Sequence, residues 1–282
     1  MNIKKDIGIP KIIHQIWFQG QKFIPEHLLS YQNSWKEKNP NYKYMFWDEK
    51  SIEDVIKKLN IDWVKRTYDF FPLMIQKIDF AKYIILYYAG GIYIDMDMKC
   101  LNALDSLLEL QFLKDKKVIL CNLTYDFIQR IGFLLTGTSN INNVVNNGVI
   151  ICEPRHEIIL NTMKYGYENK DNFFKNKINF LYIFYSTGPL ALSTGLINYT
   201  NKNKNKLNEI ELLDQVYFEA CDIGEVKNNT CKIPENAIGI HYYEGSWVSE
   251  NEKVFIKIYF FIKQNIILLL LLIILLIGFY LY

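Results

Sequence analysis

The chain has 282 residues, half of them hydrophobic and 22% charged, which is enough for a sizeable buried core and excludes a disordered protein. Lysine plus arginine (32) nearly balances aspartate plus glutamate (30), leaving a net charge of +2 and no electrostatic footprint for nucleic acid. Seven prolines and 14 glycines exclude a collagenous or linker-like chain.

Met1–Asp6 is polar, and no apolar core follows it, so no secretory signal is predicted there. Isoleucine-rich Lys11–Phe18 reads as a buried strand ending at Gly20, and Tyr42–Trp47 as a second. Ser51 is placed to cap a helix over Ile52–Leu59, with Asp54 three residues on completing a capping box. Leu73–Ala89 carries apolar residues at helical spacing and stops at Gly90-Gly91. A short strand, Ile92–Ile94, runs from there into Asp95. Val118–Cys121 and Val149–Cys152 are further strands, Arg155–Glu168 and Pro189–Asn198 further helices. Asn198–Asn208 reads as an Asn/Lys-rich loop and Ala237–Tyr242 as a last strand. Strands alternating with helices predict an α/β sheet of nucleotide-binding type.

The end of the sequence is of another kind. Ile266–Tyr282 has 17 residues without a charge, and counting back to Ile258 gives 25 with Lys263 alone charged. About 20 apolar residues span a bilayer, so residues 258–282 are expected to form a transmembrane helix behind a domain over residues 1–257. Lys253, Lys257 and Lys263 flank its N-terminal side, so the positive-inside rule places the domain in the cytosol, with the Golgi or ER lumen as the alternative. Five cysteines without CxxC spacing argue against a zinc site. Cys221 and Cys231 are spaced to close a small loop, although buried or reduced thiols are the expectation for all five.

The stretch that bears chemistry is DFAKYIILYYAGGIYIDMD, Asp79–Asp97. A helix, a Gly-Gly break and a short strand deliver Asp95 and Asp97, which as residues i and i+2 of a strand face one side. Adjacent carboxylates repel unless a cation lies between them, and oxygen ligands suit Mg²⁺ or Mn²⁺. The open C-terminal end of a strand is where α/β sheets bind nucleotides, and a cation there neutralises a departing diphosphate.

With this stretch stand IPKIIHQIWFQG (Ile9–Gly20), SWKEKNPNYKYMFWD (Ser34–Asp48), STGP (Ser186–Pro189) and HYYEGSW (His241–Trp247). Together, and in this order, they resemble glycosyltransferase family 32, the DXD-containing sugar transferases that include fungal α-1,6-mannosyltransferases and inositol-phosphorylceramide mannosyltransferases; the large clostridial glucosylating toxins are distant relatives. The resemblance covers most of residues 9–247 and implies a GT-A fold: one Rossmann-like α/β domain binding a nucleotide sugar. It implies that Asp95 and Asp97 hold metal and diphosphate-sugar. Asp79 and Tyr93 then lie near the donor's sugar and ribose, and Trp17 stacks on the base. His241, Ser246 and Trp247 close on the diphosphate and metal, with His241 a metal ligand. The family usually has arginine where Lys82 stands, and lysine keeps the charge but lacks the bidentate fork.

The activity implied is metal-dependent, retaining hexosyl transfer from GDP-mannose, or secondly UDP-glucose, to a glycan, lipid or protein acceptor, with Mn²⁺ or Mg²⁺ as cofactor. The rival is a degenerate, inactive transferase kept as a membrane-bound sugar-binding or assembly module, for which Lys82 is the best support. His14 is expected to be a hydrogen-bonded strand residue, Trp35 and Trp47 core, and His156 a structural residue at a helix start. Asn146 and Asn147 are open as acceptor-side residues.

Overall fold

The computed structural model describes residues 8–123, 144–171 and 179–245. The chain divides into two units, Met1–Tyr243 and Glu244–Tyr282, and nearly all of the described residues belong to the first. The apolar run at residues 258–282, together with Ser246 and Trp247, lies outside the described residues.

The strands are β1 (Ile12–Ile16), β2 (Lys43–Trp47), β3 (Gly91–Ile94), β4 (Met98–Cys100), β5 (Val118–Leu123), β6 (Val144–Cys152), β7 (Ile210–Leu213) and β8 (Gly239–His241). The helices are α1 (Glu26–Lys38), α2 (Glu49–Leu59), α3 (Asp62–Phe70), α4 (Met74–Ala89), α5 (Asp105–Leu108), α6 (Glu157–Asn169), α7 (Asn179–Ser186), α8 (Pro189–Lys202) and α9 (Ile223–Lys227). Six strands form one mixed sheet in the order β2-β1-β3-β6-β5-β7. β1 runs parallel to β2 and β3, and β5 parallel to β7, while β6 is antiparallel to both β3 and β5. β4 and β8 pair antiparallel in a separate ribbon that sets Met98 opposite His241.

Alternation along the strands builds two cores. On β3, Tyr93 enters the core shared with α2, α4, α6 and α8, while Ile92 and Ile94 enter the one closed by Trp35, Leu104 and Leu107. On β5, Val118 and Leu120 face the first core and Ile119 and Cys121 the second. Burial on both faces explains why these strands read as unbroken apolar runs.

Most predicted elements are present with shifted ends. Helix α2 starts earlier than expected: Asp48 is its cap, and Ser51 is the reciprocal partner at the third helical position, its N–H donating to Asp48 Oδ1 at 2.8 Å. Asp54 instead pairs with Lys57 at 3.4 Å. The expected Asn198–Asn208 loop is mostly helical, with α8 running to Lys202 and a 3-10 turn over Lys204–Glu209. Among the described residues, Asn179–Lys202 is the stretch long and apolar enough to cross a membrane, and it is mostly buried inside the domain. Its apolarity serves packing against α6, where Gly195 leaves no room for a Cβ beside Thr162.

The cysteines depart from expectation. Cys221 and Cys231 form a disulfide, because the turn around α9 brings their Cα atoms to 5.6 Å, within bridging distance. Cys100, Cys121 and Cys152 are buried free thiols, as expected.

Candidate functional site

The site is built on the Gly90-Gly91 break. Gly90 ends α4 at φ 63° and ψ −167°, a conformation open to glycine, and an added Cβ would lie 2.6 Å from Pro154. β3 begins directly after Gly90, carries Tyr93 and leads into Asp95. Asp95 and Asp97 are not on a strand, as the i/i+2 argument assumed. β3 stops at Ile94, and the two aspartates occupy the turn into β4, where Met98 N–H donates to Asp95 O at 3.3 Å. A turn converges the carboxylates just as alternation would, and it leaves both half-exposed.

One oxygen from each of Asp95 and Asp97 and one ring nitrogen of His241 lie within 4.8 Å of one another. The β4–β8 ribbon makes this possible: Met98 and His241 are register partners, and Tyr242 N–H donates to Asp97 O at 2.9 Å. His241 Nε2 is 3.2 Å from Asp97 Oδ1. Two carboxylates and an imidazole form a donor set of the kind that takes Mn²⁺ or another small divalent cation.

Beside this trio is a buried ionic cluster. Lys82, on α4, lies 2.8 Å from Asp79 Oδ1 and 2.9 Å from Asp95 Oδ1. Tyr93 OH donates to Asp95 Oδ1 at 2.8 Å, and Lys82 Nζ lies 5.1 Å from the centre of the Tyr93 ring. Asn147 Nδ2 donates to Asp79 Oδ1 at 3.0 Å, and Thr187 Oγ1 reaches Asp79 Oδ2 at 3.4 Å. Burial disfavours the Lys82 charge, but Asp79 and Asp95 outweigh it and hold the lysine protonated far above its ordinary range. Burial pushes the Tyr93 phenol well up, and Asp95 adds to it, so Tyr93 stays a donor.

Strand β6 closes the site. Gly148 O accepts from Asp95 N–H at 2.8 Å, and a Cβ on Gly148 would stand 3.0 Å from Asp95 Oδ2. Asn146 and Asn147 do not stand free toward an acceptor. Asn146 donates to Glu219, and its Oδ1 accepts from Gly148 N–H at 2.6 Å. Glu219 was not expected from the sequence. It is buried, 2.8 Å from His241 Nδ1, and accepts from Tyr243 OH at 2.5 Å. Nothing in its local sequence marks it, because its role comes from partners on β6 and past β8. Burial lowers the His241 pKa, but Glu219 and Asp97 overcome it and carry it well above 6.5.

Trp35, Trp47, His14 and His156 take the structural places expected of them. Trp17 is half-exposed and packs with Ile24, Leu28 and Met96, the residue between the two aspartates. Trp35 is core and donates to Met98 O at 2.8 Å. Buried His14 lies 2.8 Å from Gly90 O and accepts from Trp47 Nε1 at 3.1 Å. His156 accepts from Ile158 N–H at the start of α6.

The chain is similar to known proteins in sequence and in fold. Residues 25–113, which include Asp79, Lys82, Tyr93, Asp95 and Asp97, match the family described as glycosyltransferase sugar-binding region containing DXD motif. An uncharacterized glycosyltransferase, L373, of Acanthamoeba polyphaga mimivirus is 32% identical over 78% of this chain and 76% of its own length. Inositol phosphoceramide mannosyltransferase 3 of Schizosaccharomyces pombe is 32% identical over 66% of this chain. Mannosyl phosphorylinositol ceramide synthase SUR1 of Saccharomyces cerevisiae is 29% identical over 75%. The matches span 44% and 48% of those two fungal proteins. In fold, the solved structure of PaToxG glycosyltransferase superposes with a TM-score of 0.50 over 71% of this chain and 73% of that one, at 17% identity. With a GT-A-like mixed sheet, a DXD turn and a relative matched over three-quarters of its length, this chain belongs to the DXD-motif glycosyltransferases.

Proposed function

We propose that the protein transfers a hexose, with retention of anomeric configuration, from a nucleotide sugar to a hydroxyl of a glycan or lipid. The observation that carries this is the convergence of Asp95, Asp97 and His241 at the end of β3. These three would hold a divalent cation, Mn²⁺ before Mg²⁺ because of the imidazole, which would supply positive charge opposite a leaving nucleoside diphosphate. Lys82 adds a fixed positive charge beside Asp95, and the Asp79 carboxylate, held by Asn147 and Thr187, would accept from sugar hydroxyls. Tyr93 keeps Asp95 in one orientation through its hydroxyl, and Trp17 offers an indole face to the base. The similarity to fungal inositol phosphoceramide mannosyltransferases supports mannose, hence GDP-mannose, ahead of UDP-glucose, and a lipid-linked acceptor among the hydroxyls considered. Asp95→Asn and Asp97→Asn are expected to remove transfer while leaving the fold intact, with EDTA stopping the wild-type reaction and Mn²⁺ restoring it. Near-normal turnover in either folded variant at saturating Mn²⁺ would sink the reading.

The enzyme is further proposed to be anchored through residues 258–282, on the length and apolarity of that run. For the side of the membrane, the Cys221–Cys231 bridge outweighs the flanking lysines and supports an oxidising compartment rather than the cytosol. In sealed microsomes the domain should then survive protease until detergent is added; digestion without detergent restores the cytosolic placement.

A further inference from the structure

Glu219 has no role in the family pattern, yet it is buried and holds three side-chain partners. Its side chain is 2% exposed. Its Oε1 accepts from Asn146 Nδ2 of β6 and lies 2.8 Å from His241 Nδ1, and its Oε2 accepts from Tyr243 OH at 2.5 Å. Tyr243 OH also reaches Cys221 O at 3.1 Å, and the Tyr243 ring stacks on the His241 ring with centroids 4.1 Å apart. Three elements distant in sequence therefore converge on one buried carboxylate, whose outlet is the imidazole facing Asp97.

We infer that Glu219 is the positioning residue of the metal centre: it takes the Nδ1–H of His241, so that the proton a cation would displace is the one on Nε2, and aims that nitrogen at the space shared with Asp95 and Asp97. A histidine ligand needs a neutral ring with one defined donor nitrogen, and a carboxylate on the other ring nitrogen supplies this and raises the ligand's basicity. Asn146 and Tyr243 keep the carboxylate itself in place. The inference rests on the metal-dependent reading above.

The test measures Mn²⁺ alone binding to the full chain in detergent, through the electron paramagnetic resonance signal of free Mn²⁺. The variants are Glu219→Ala, Glu219→Gln, His241→Ala, Asp97→Asn and the double variant Glu219→Gln/His241→Ala. Glu219→Ala should raise the Mn²⁺ Kd about 10- to 100-fold, the range for losing such an orienting carboxylate. Glu219→Gln, whose amide oxygen still accepts from Nδ1–H, should fall between the wild type and Glu219→Ala. In the His241→Ala background the Gln substitution should add nothing, because the ring through which Glu219 acts is gone. Equal loss in both backgrounds, or a Kd within about twofold of wild type in Glu219→Ala, overturns the inference. If the alanine variant does not fold, the Gln pair alone decides by the same comparison. Should Asp97→Asn also leave the Kd unchanged, the metal reading fails; should Asp97→Asn weaken binding while the Glu219 variants do not, only the positioning role fails.

Discussion

Lys82 shows how a single side chain changes meaning once its surroundings are known. As a departure from the family arginine it was the best support for an inactive module. In the structure its ammonium sits between Asp79 and Asp95, with the side chain 3% exposed, so the positive charge that the site requires is retained. Lys82→Ala would leave two acids without their cation, one of them buried. Breaking a buried pair from one side costs about 3–5 kcal/mol, so a loss of that order is expected in chemical denaturation. Donor KM should also rise about tenfold, the size of a lost charge-assisted hydrogen bond. Lys82→Arg keeps the charge and supplies a fork, so it should remain folded and active. An alanine variant with wild-type stability and KM would show that the ammonium neither holds the two acids nor meets the donor.

At the scale of elements, the decisive piece is the junction between α4 and β3. Gly90 allows α4 to end and β3 to begin within one residue, and its carbonyl meets the His14 ring. Any side chain there meets Pro154 and sits in a backbone region that L-residues avoid, a strain of about 1–3 kcal/mol before the clash is counted. Gly90→Ala is expected to lower stability by about 3 kcal/mol or more in urea unfolding, and to lower Mn²⁺-dependent turnover in whatever folds, because β3 delivers Asp95. Equal stability of Gly90→Ala and wild type would contradict this account of the turn.

For the molecule as a whole, buried histidines set the acid limit. Burial lowers His14 from 6.5 to about 4, against the favourable Gly90 carbonyl, and burial likewise takes His156 to about 4 despite Glu209. Between those values the unfolded chain binds protons that the folded one refuses, so stability falls as pH drops from 6.5 toward 4 and levels below that. Each histidine accounts for about 3 kcal/mol over the window. His241 has the opposite sign. With its pKa raised, it is protonated in both states below 6.5 and contributes no slope there; its stabilisation is lost only as pH rises through its folded value. The melting temperature should therefore decline from pH 6.5 to 4. In His14→Gln, whose amide can donate to Gly90 O and accept from Trp47, the decline should be shallower. A flat profile in the wild type would mean that neither ring is held neutral.

Much of this was legible in the sequence because it is decided by near neighbours. The Gly-Gly stop after a helical stretch and the apolar runs of β1, β3 and β5 each act within a few residues, and each is found where expected. The residues drawn from the resemblance, Asp79, Lys82, Tyr93, Asp95, Asp97 and His241, do converge. Their physical arrangement was another matter. The turn placement of the aspartates, the antiparallel insertion of β6 between β3 and β5, and the engagement of Asn146 and Asn147 with acids arise from strand pairing across long stretches of chain. Glu219 and the Cys221–Cys231 bridge were equally out of reach, since an acid or a thiol carries no local sign of its partner. Local propensity and periodicity settle which segments are helix or strand; only closure of the sheet and of the β4–β8 ribbon decides which distant side chains share a low-dielectric space, where an unpaired charge is too costly to remain.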